Sequence, residues 1–541
     1  MPAPSRLLSM RNPLARTLLL AVVVLVLLAL TFRSQPIDVS ARLRTGSKQT
    51  APVQQPLEPA AGSPDVPKTD AEGTTTPHIP NCDVDTAHLR EIKELFKLDD
   101  KFQYMKRYVK FKRAPIPRRS ITNLDQKFLN KKFKTVDVRK KYGHEACAEP
   151  LEVEVPESPF PAAANASDFI FAVSTTYKRF NETKTSPVNE WKYWLTDDRG
   201  SSNGGKLILL LLEASESELL DATNRLRGVG IDVDVYHSDA SKEMAVRYLS
   251  LVPKLYKHPA SKNRKWLVTC DDDTYFPSMN GLIAKMATFD HTQPLYVGTL
   301  SEDVNAIDRH GSQAFGGAGV FLSVPMAAKL TSLFGACTTD QKIQESNSGW
   351  GPQGDLLLRK CIYENTEVRL TNVWDLWQLD LLADPAGFYE SGIQPLSLHH
   401  FKGGGWHLAR PWDTSKVAHA CGEACSYLRF RTTDDFILSN GFSVAHYPRG
   451  IDFDLGQVER TFAAAPEDKG WNFDFKMGPQ RRALHKTGRK IAWELSRATV
   501  NPDGSVLQTY TRKNDDWRWT DDRGNRMNKV DGVIELVWVP S

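Results

Sequence analysis

A chain of 541 residues exceeds one ordinary domain, so two or three folded units with linkers are expected. Hydrophobic residues make up 41% and charged residues 25%, which supplies a sizeable core and excludes a wholly disordered chain. A net charge of +4 over this length gives no general argument for nucleic acid as a partner.

The first element is apolar. Thr17 to Phe32 reads TLLLAVVVLVLLALTF, sixteen residues without a charge or helix breaker between Arg16 and Arg33. This is just short of the ~17–25 residues of a spanning helix, and snorkelling by the two arginines extends it. The expectation is a short tail (1–16) followed by a single signal-anchor span (17–32). A cleaved signal peptide is the rival, but Thr31-Phe32-Arg33-Ser34-Gln35-Pro36 offers no small-residue cleavage site. Arginines flank the span on both sides, so the positive-inside rule barely orients it. The folded mass after the span does, and the sequons Asn165-Ala166-Ser167 and Asn181-Glu182-Thr183 fit a lumenal body.

An oxidising lumen would let cysteines pair. Of the seven, pairing in chain order gives Cys82–Cys147, Cys337–Cys361 and Cys421–Cys425, leaving Cys270 free, although sequence does not fix connectivity. No Cys-x-x-Cys exists, which argues against a zinc ribbon. Residues 33–80 are rich in Pro, Ala, Ser, Thr and Gly and read as a disordered, flexible stem. Residues 81–165 follow, and from Lys101 to Lys141 they carry fifteen Lys or Arg against only Asp125 and Asp137. This reads as a solvated, partly helical basic neck; the alternative is contact with anionic lipid head groups or an acidic acceptor.

From 166 to 425 strands and helices alternate. Asp168–Ser174, Lys206–Glu213, Ile231–Tyr236 and Lys265–Cys270 read as strands, and Glu216–Arg227 and Lys242–Val252 as helices. Ser215 and Glu218 have capping-box spacing, and Pro253 stops or kinks the second helix. The pattern predicts an α/β fold with a mostly parallel sheet flanked by helices, whose ligands bind beyond the strand carboxyl ends. Asp271-Asp272-Asp273 lies at such an end. Adjacent carboxylates repel unless a cation neutralises them, and a hard divalent ion takes oxygen ligands from carboxylate and diphosphate alike; an exposed acidic turn is the bland alternative. Gly316, Gly317 and Gly319 permit close backbone approach to a ligand, or simply form a tight turn. Ser323 with Pro325 looks like a helix start. Asp355, opening a helical run, is either a functional carboxylate or an N-cap. His399-His400 offers imidazole to a metal. Residues 426–541 read as a β-rich C-terminal region, with turns at Asn440-Gly441, Asp503-Gly504 and Asp531-Gly532. Its Trp471, Trp493, Trp517, Trp519 and Trp538 either pack inside or form a carbohydrate-binding face.

Five blocks together resemble a known family. Trp266-Leu-Val-Thr-Cys-Asp271-Asp272-Asp273-Thr274-Tyr275 is similar to the metal-binding motif of glycosyltransferase family 31, the family of Fringe and the core 1 galactosyltransferases. Tyr296-Val-Gly-Thr-Leu-Ser-Glu302, Phe315-Gly316-Gly317-Ala318-Gly319, Gly354-Asp355-Leu-Leu-Leu-Arg-Lys-Cys361 and Pro395-Leu-Ser-Leu-His399-His400-Phe401 follow in the family's order. The combination looks closest to a fungal branch and covers roughly residues 166–425. It implies a GT-A-like fold and an inverting transfer, β-1,3 in linkage, of a hexose or N-acetylhexosamine. The donor would be a UDP-sugar and the acceptor a glycan or glycoprotein, with Mn²⁺ or Mg²⁺ as cofactor. It places Asp273 and His399 as direct metal ligands, with His399 favoured over His400. Asp271 and Asp272 would hold ribose or metal-bound water, Asp271 also as a ligand, and Gly316, Gly317 and Gly319 the donor. Asp355 matches the proposed general base, with Glu302 as the next candidate. The family's acidic residue before that base is Gly354 here. With the anchor, the resemblance implies a single-pass type II Golgi membrane protein. A non-catalytic, transferase-like Golgi protein that binds glycans or partners is the alternative, and a metal hydrolase is a third.

Overall fold

The structure, a computed structural model, describes residues 80–182, 187–197, 199–382, 384–461 and 474–541. The expected tail, the span 17–32, the stem up to residue 79, Thr183 and Trp471 lie outside the described residues. Among the described residues no helix is long and apolar enough to cross a membrane.

Seven strands form the first sheet, in the order Leu370–Asn372, Tyr296–Gly298, Val320–Ser323, Trp266–Thr269, Phe169–Thr176, Lys206–Leu212, Asp232–His237. All pair in parallel except Val320–Ser323, which runs antiparallel to both neighbours. The central strands are unbroken apolar runs because both faces are covered. Phe171, paired with Leu207 and Val268, is buried with both of them. Helix Glu216–Gly228 opens with the expected capping box at Ser215 and Glu218. Helix Met244–Lys257 continues through Pro253, so the proline does not stop it. Proline removes one backbone bond, and burial of Leu249, Leu251, Val252 and Leu255 holds the last turn in place.

The second sheet has ten strands, nine on its main path and Leu151–Pro156 paired beside it to Lys101–Ala114, and joins segments expected to be separate. Strand Lys101–Ala114, from the expected solvated neck, pairs in parallel with Gly532–Pro540 at the C-terminus, Gln103 opposite Gly532 and Phe111 opposite Pro540. Phe102, Tyr104, Tyr108, Val109 and Phe111 are buried, while Lys101 and Lys112 stay exposed. Arg107 is buried as well, its guanidinium donating to the carbonyls of Glu149, Lys127 and Phe128, so this basic segment is part of a packed sheet and not a solvated neck. The C-terminal region is β-rich, with hairpins turning at Asn440-Gly441 and Asp503-Gly504. Trp493, Trp519 and Trp538 are buried in its core and Trp517 alone of the described four is exposed, so these residues form no tryptophan face. Cys82–Cys147, Cys337–Cys361 and Cys421–Cys425 are bridged, and Cys270 is free and buried.

Candidate metal and active site

Strand Trp266–Thr269 is buried throughout and ends against Cys270, so the three aspartates emerge at the carboxyl edge of the sheet. Two of them meet a histidine. Leu398 exchanges two backbone hydrogen bonds with Tyr275, of 2.9 and 2.8 Å, which brings the next residue, His399, over the turn. His399 Nε2 lies 3.1 Å from Asp273 and 3.5 Å from Asp271. One ligand atom from each of the three falls within 4.8 Å of the others. The other ring nitrogen, Nδ1, is 3.1 Å from the Gln378 carbonyl and donates to it, so Nε2 is the nitrogen that faces the carboxylates.

Asp272 behaves differently. It points away into a fork made by Arg179, with Nε at 2.7 Å and Nη2 at 2.5 Å, and it also accepts from the Thr175 hydroxyl. The structure therefore takes Asp272 out of the cluster and gives it to Arg179. Sequence reading missed Arg179, although it follows the strand Phe169–Thr176 that neighbours Trp266–Thr269 in parallel, and so lies at the same sheet edge.

The glycine block closes the site from beneath. A Cβ on Gly317 would fall 2.2 Å from the His399 ring, and one on Gly316 would fall 2.6 Å from the Tyr248 hydroxyl and 2.9 Å from Asp355. The close approach is thus to protein side chains: the missing methyls make room for His399 and Asp355. Gly319, at φ 90°, abuts Phe276 and Phe321 instead. The Thr274 hydroxyl bonds the Gly317 carbonyl at 2.9 Å and tethers the block to the aspartate turn.

Asp355 is not an N-cap. Gln353 occupies the N-cap position of helix Gly354–Asn365 without a side-chain capping bond, and Asp355, in the first turn, accepts from the Gly316 amide at 3.1 Å. Burial, then the charge of Asp271, push its carboxyl up to about 7, against opposing hydrogen bonds from Gly316 and Tyr248. Burial also resists ionisation of Asp273, but the His399 charge outweighs it and holds Asp273 below the usual carboxylate range. For His399 burial acts against the proton, and Asp273 and Asp271 outweigh it, raising its affinity for one. His400 takes a left-handed backbone, φ 58°, stacks on Trp406 and faces Asp380 at 3.3 Å, outside the cluster. Glu302 is buried and accepts from the amides of Gln378 and Leu379, which leaves it no role as a base.

Two carboxylates and one imidazole nitrogen suit Mn²⁺ or Mg²⁺, the oxygen-rich choice among divalent ions. The orientation of His399 by a backbone carbonyl is the arrangement metal-ligating histidines use. The residues fit the ion.

Residues 221–399 match the family model described as Fringe-like. This segment, roughly one third of the chain, holds the aspartate turn, the glycine block, Asp355 and His399. No curated protein matches. Similar solved structures include mouse xyloside xylosyltransferase 1, 13% identical over 37% of this chain and 85% of that one, with a TM-score of 0.24. A mannosyltransferase of Pyrobaculum calidifontis in complex with GDP-mannose and Mn²⁺ is 12% identical over 40% and 59%, TM-score 0.24. Core-mannan synthase A of Aspergillus fumigatus, in its Mn/GDP form, is 9% identical over 40% and 79%, TM-score 0.24. Likenesses this remote carry no argument about activity, and the comparisons lend no support to a fungal branch.

Proposed function

We propose that the chain is a metal-dependent inverting glycosyltransferase. It transfers a hexose or N-acetylhexosamine from a UDP-sugar to a glycan or glycoprotein hydroxyl, in a β-1,3 linkage. The observation that carries metal-dependent transfer is one convergence, in which Gly317 seats His399 against Asp271 and Asp273 and the adjacent Gly316 holds Asp355; the donor, inversion and linkage rest on the family resemblance. The chemistry a Mn²⁺ or Mg²⁺ ion would supply here is positive charge to offset the negative charge developing on the departing UDP. Asp271, Asp273 and His399 Nε2 would hold the ion. Asp272, paired with Arg179, keeps that guanidinium beside the site, where it attracts the anionic donor. Asp355 accepts the acceptor hydroxyl's proton at its carboxylate as the oxygen attacks the anomeric carbon, and a pKa near neutrality suits that task. Location in the Golgi membrane, with the body lumenal, rests on the apolar segment 17–32.

The test is turnover of a UDP-sugar series with glycan acceptors, with Mn²⁺ and with EDTA. Glycosyl transfer lost on chelation supports the proposal. Metal-stimulated phosphate release without UDP would indicate a hydrolase, and binding without turnover for every donor would indicate a glycan-binding protein.

A further inference from the structure

Glu302 closes the block that begins at Tyr296, and its side chain is completely buried. One carboxylate oxygen accepts from the Gln378 amide at 2.9 Å and the other from the Leu379 amide at 2.8 Å. Its countercharge comes from the far end of the chain. Lys476, in the short helix Asp474–Met477, is 1% exposed and its ammonium lies 3.4 Å from Glu302. That ammonium also donates to the Leu376 carbonyl at 2.9 Å and stands 3.8 Å from the Trp377 ring centroid. It donates to the Thr299 hydroxyl at 3.4 Å as well, while its Leu376 and Trp377 contacts fall on the loop 376–379 that Glu302 holds.

This loop carries the carbonyl that receives His399 Nδ1–H at 3.1 Å. The Gln378 carbonyl and the Leu379 amide belong to a single peptide unit, which is planar and rigid. Fixing the Leu379 amide on Glu302 therefore fixes the direction of the Gln378 carbonyl. Leu379 has φ 58°, a conformation an L side chain rarely adopts, so the loop needs such anchoring to stay in place. We propose that the buried Glu302–Lys476 pair is a positioning device for His399, by which the C-terminal region holds the metal ligand in its binding tautomer and orientation. The proposal rests on the metal-site reading above. It gives Glu302 a role in place of base, and it gives Lys476 a reason to be buried inside the catalytic half.

The test uses the full chain and two readouts independent of turnover: Mn²⁺ affinity by electron paramagnetic resonance, and amide exchange of peptides covering 376–381. Glu302→Gln keeps the side-chain volume but leaves one acceptor oxygen for two amides. Lys476→Met removes the countercharge and Lys476→Arg keeps it. We expect Glu302→Gln and Lys476→Met to bind Mn²⁺ about 10–100-fold more weakly, the range for lost outer-shell partners, with faster exchange at 376–381 and retained binding in Lys476→Arg. A merely structural pair predicts lower melting temperature with unchanged metal affinity. Folded Glu302→Gln with Mn²⁺ affinity within about twofold of wild type overturns the proposal. Should Lys476→Met fail to fold, Glu302→Gln and Lys476→Arg decide. A wild-type chain that binds no Mn²⁺ removes the metal-site reading itself, before any variant is made, and this proposal with it.

Discussion

Asp355→Asn separates chemistry from architecture more cleanly than any other change at this site. Asparagine keeps an oxygen able to accept from the Gly316 amide, so the 3.1 Å contact survives. It cannot take a proton at neutral pH, so kcat should fall by about 10²–10⁴, while UDP and Mn²⁺ affinities stay near wild type. Stability should move the other way. A folded carboxyl raised from 3.8 to about 7 makes ionisation in the fold unfavourable by up to ~4 kcal/mol. Because the folded pKa is the higher one, that stability is present at low pH and lost as pH rises from about 4 to about 7. Asparagine escapes the loss. In EDTA at pH 8 the variant should therefore melt above wild type, with the difference shrinking toward pH 5. The assays are steady-state kinetics and thermal unfolding across pH. A folded variant with unchanged kcat refutes the base assignment, and an absent stability gain refutes the account of its environment.

Other expectations follow from the same geometry. Asp273→Ala should abolish Mn²⁺-dependent turnover with the fold intact by circular dichroism, since it removes a ligand; retained metal-dependent activity would sink the cluster. Gly317→Ala would place a methyl 2.2 Å from the His399 ring, so Mn²⁺ affinity should collapse. Gly335→Ala, in the helix Val324–Cys337 with nothing within 4 Å, should raise stability by about 0.5–1 kcal/mol, so contrary thermal shifts would undermine both readings. Mn²⁺ should bind more tightly as pH rises, because Asp273 and Asp271 raise the proton affinity of His399 and that proton competes for Nε2. Calorimetry showing metal affinity flat with pH would remove His399 from the ligand set.

The first sheet was legible where one strand carries its own signal. Phe169–Val173 and Leu207–Leu211 are apolar without interruption because both faces are covered, and the aspartates follow directly where such a strand ends. Lys101–Ala114 was not legible as a strand. Its lysines and arginines interrupt the buried Phe102, Tyr104, Val109 and Phe111, and its partner lies more than 400 residues away. Asp355 and Glu302 show the limit for single residues. Both are acids in family-like blocks, and only tertiary contacts distinguish them: Asp355 meets one amide and the edge of the metal cluster, whereas Glu302 is locked by two amides and a buried lysine. Arg179 was hidden for the same reason, since nothing in Tyr177–Phe180 announces a partner at Asp272.

Gly354 decides between an enzyme and a non-catalytic relative. If the acidic residue that the family carries there had been lost along with activity, restoring it should help. The structure gives another cause. A Cβ at 354 would meet Tyr248 Cβ at 2.5 Å and its ring at 2.6 Å, while the Tyr248 hydroxyl hydrogen-bonds Thr269. Glycine at 354 is what lets helix Gly354–Asn365 approach Tyr248 closely enough for Asp355 to reach the Gly316 amide. Gly354→Glu should then cost about 1–3 kcal/mol from overpacking and shift Asp355, lowering kcat instead of raising it. Thermal unfolding and transfer kinetics on that one variant suffice. A stable, more active Gly354→Glu would show that position 354 is a vacated catalytic place, and that Asp355 alone does not complete the site.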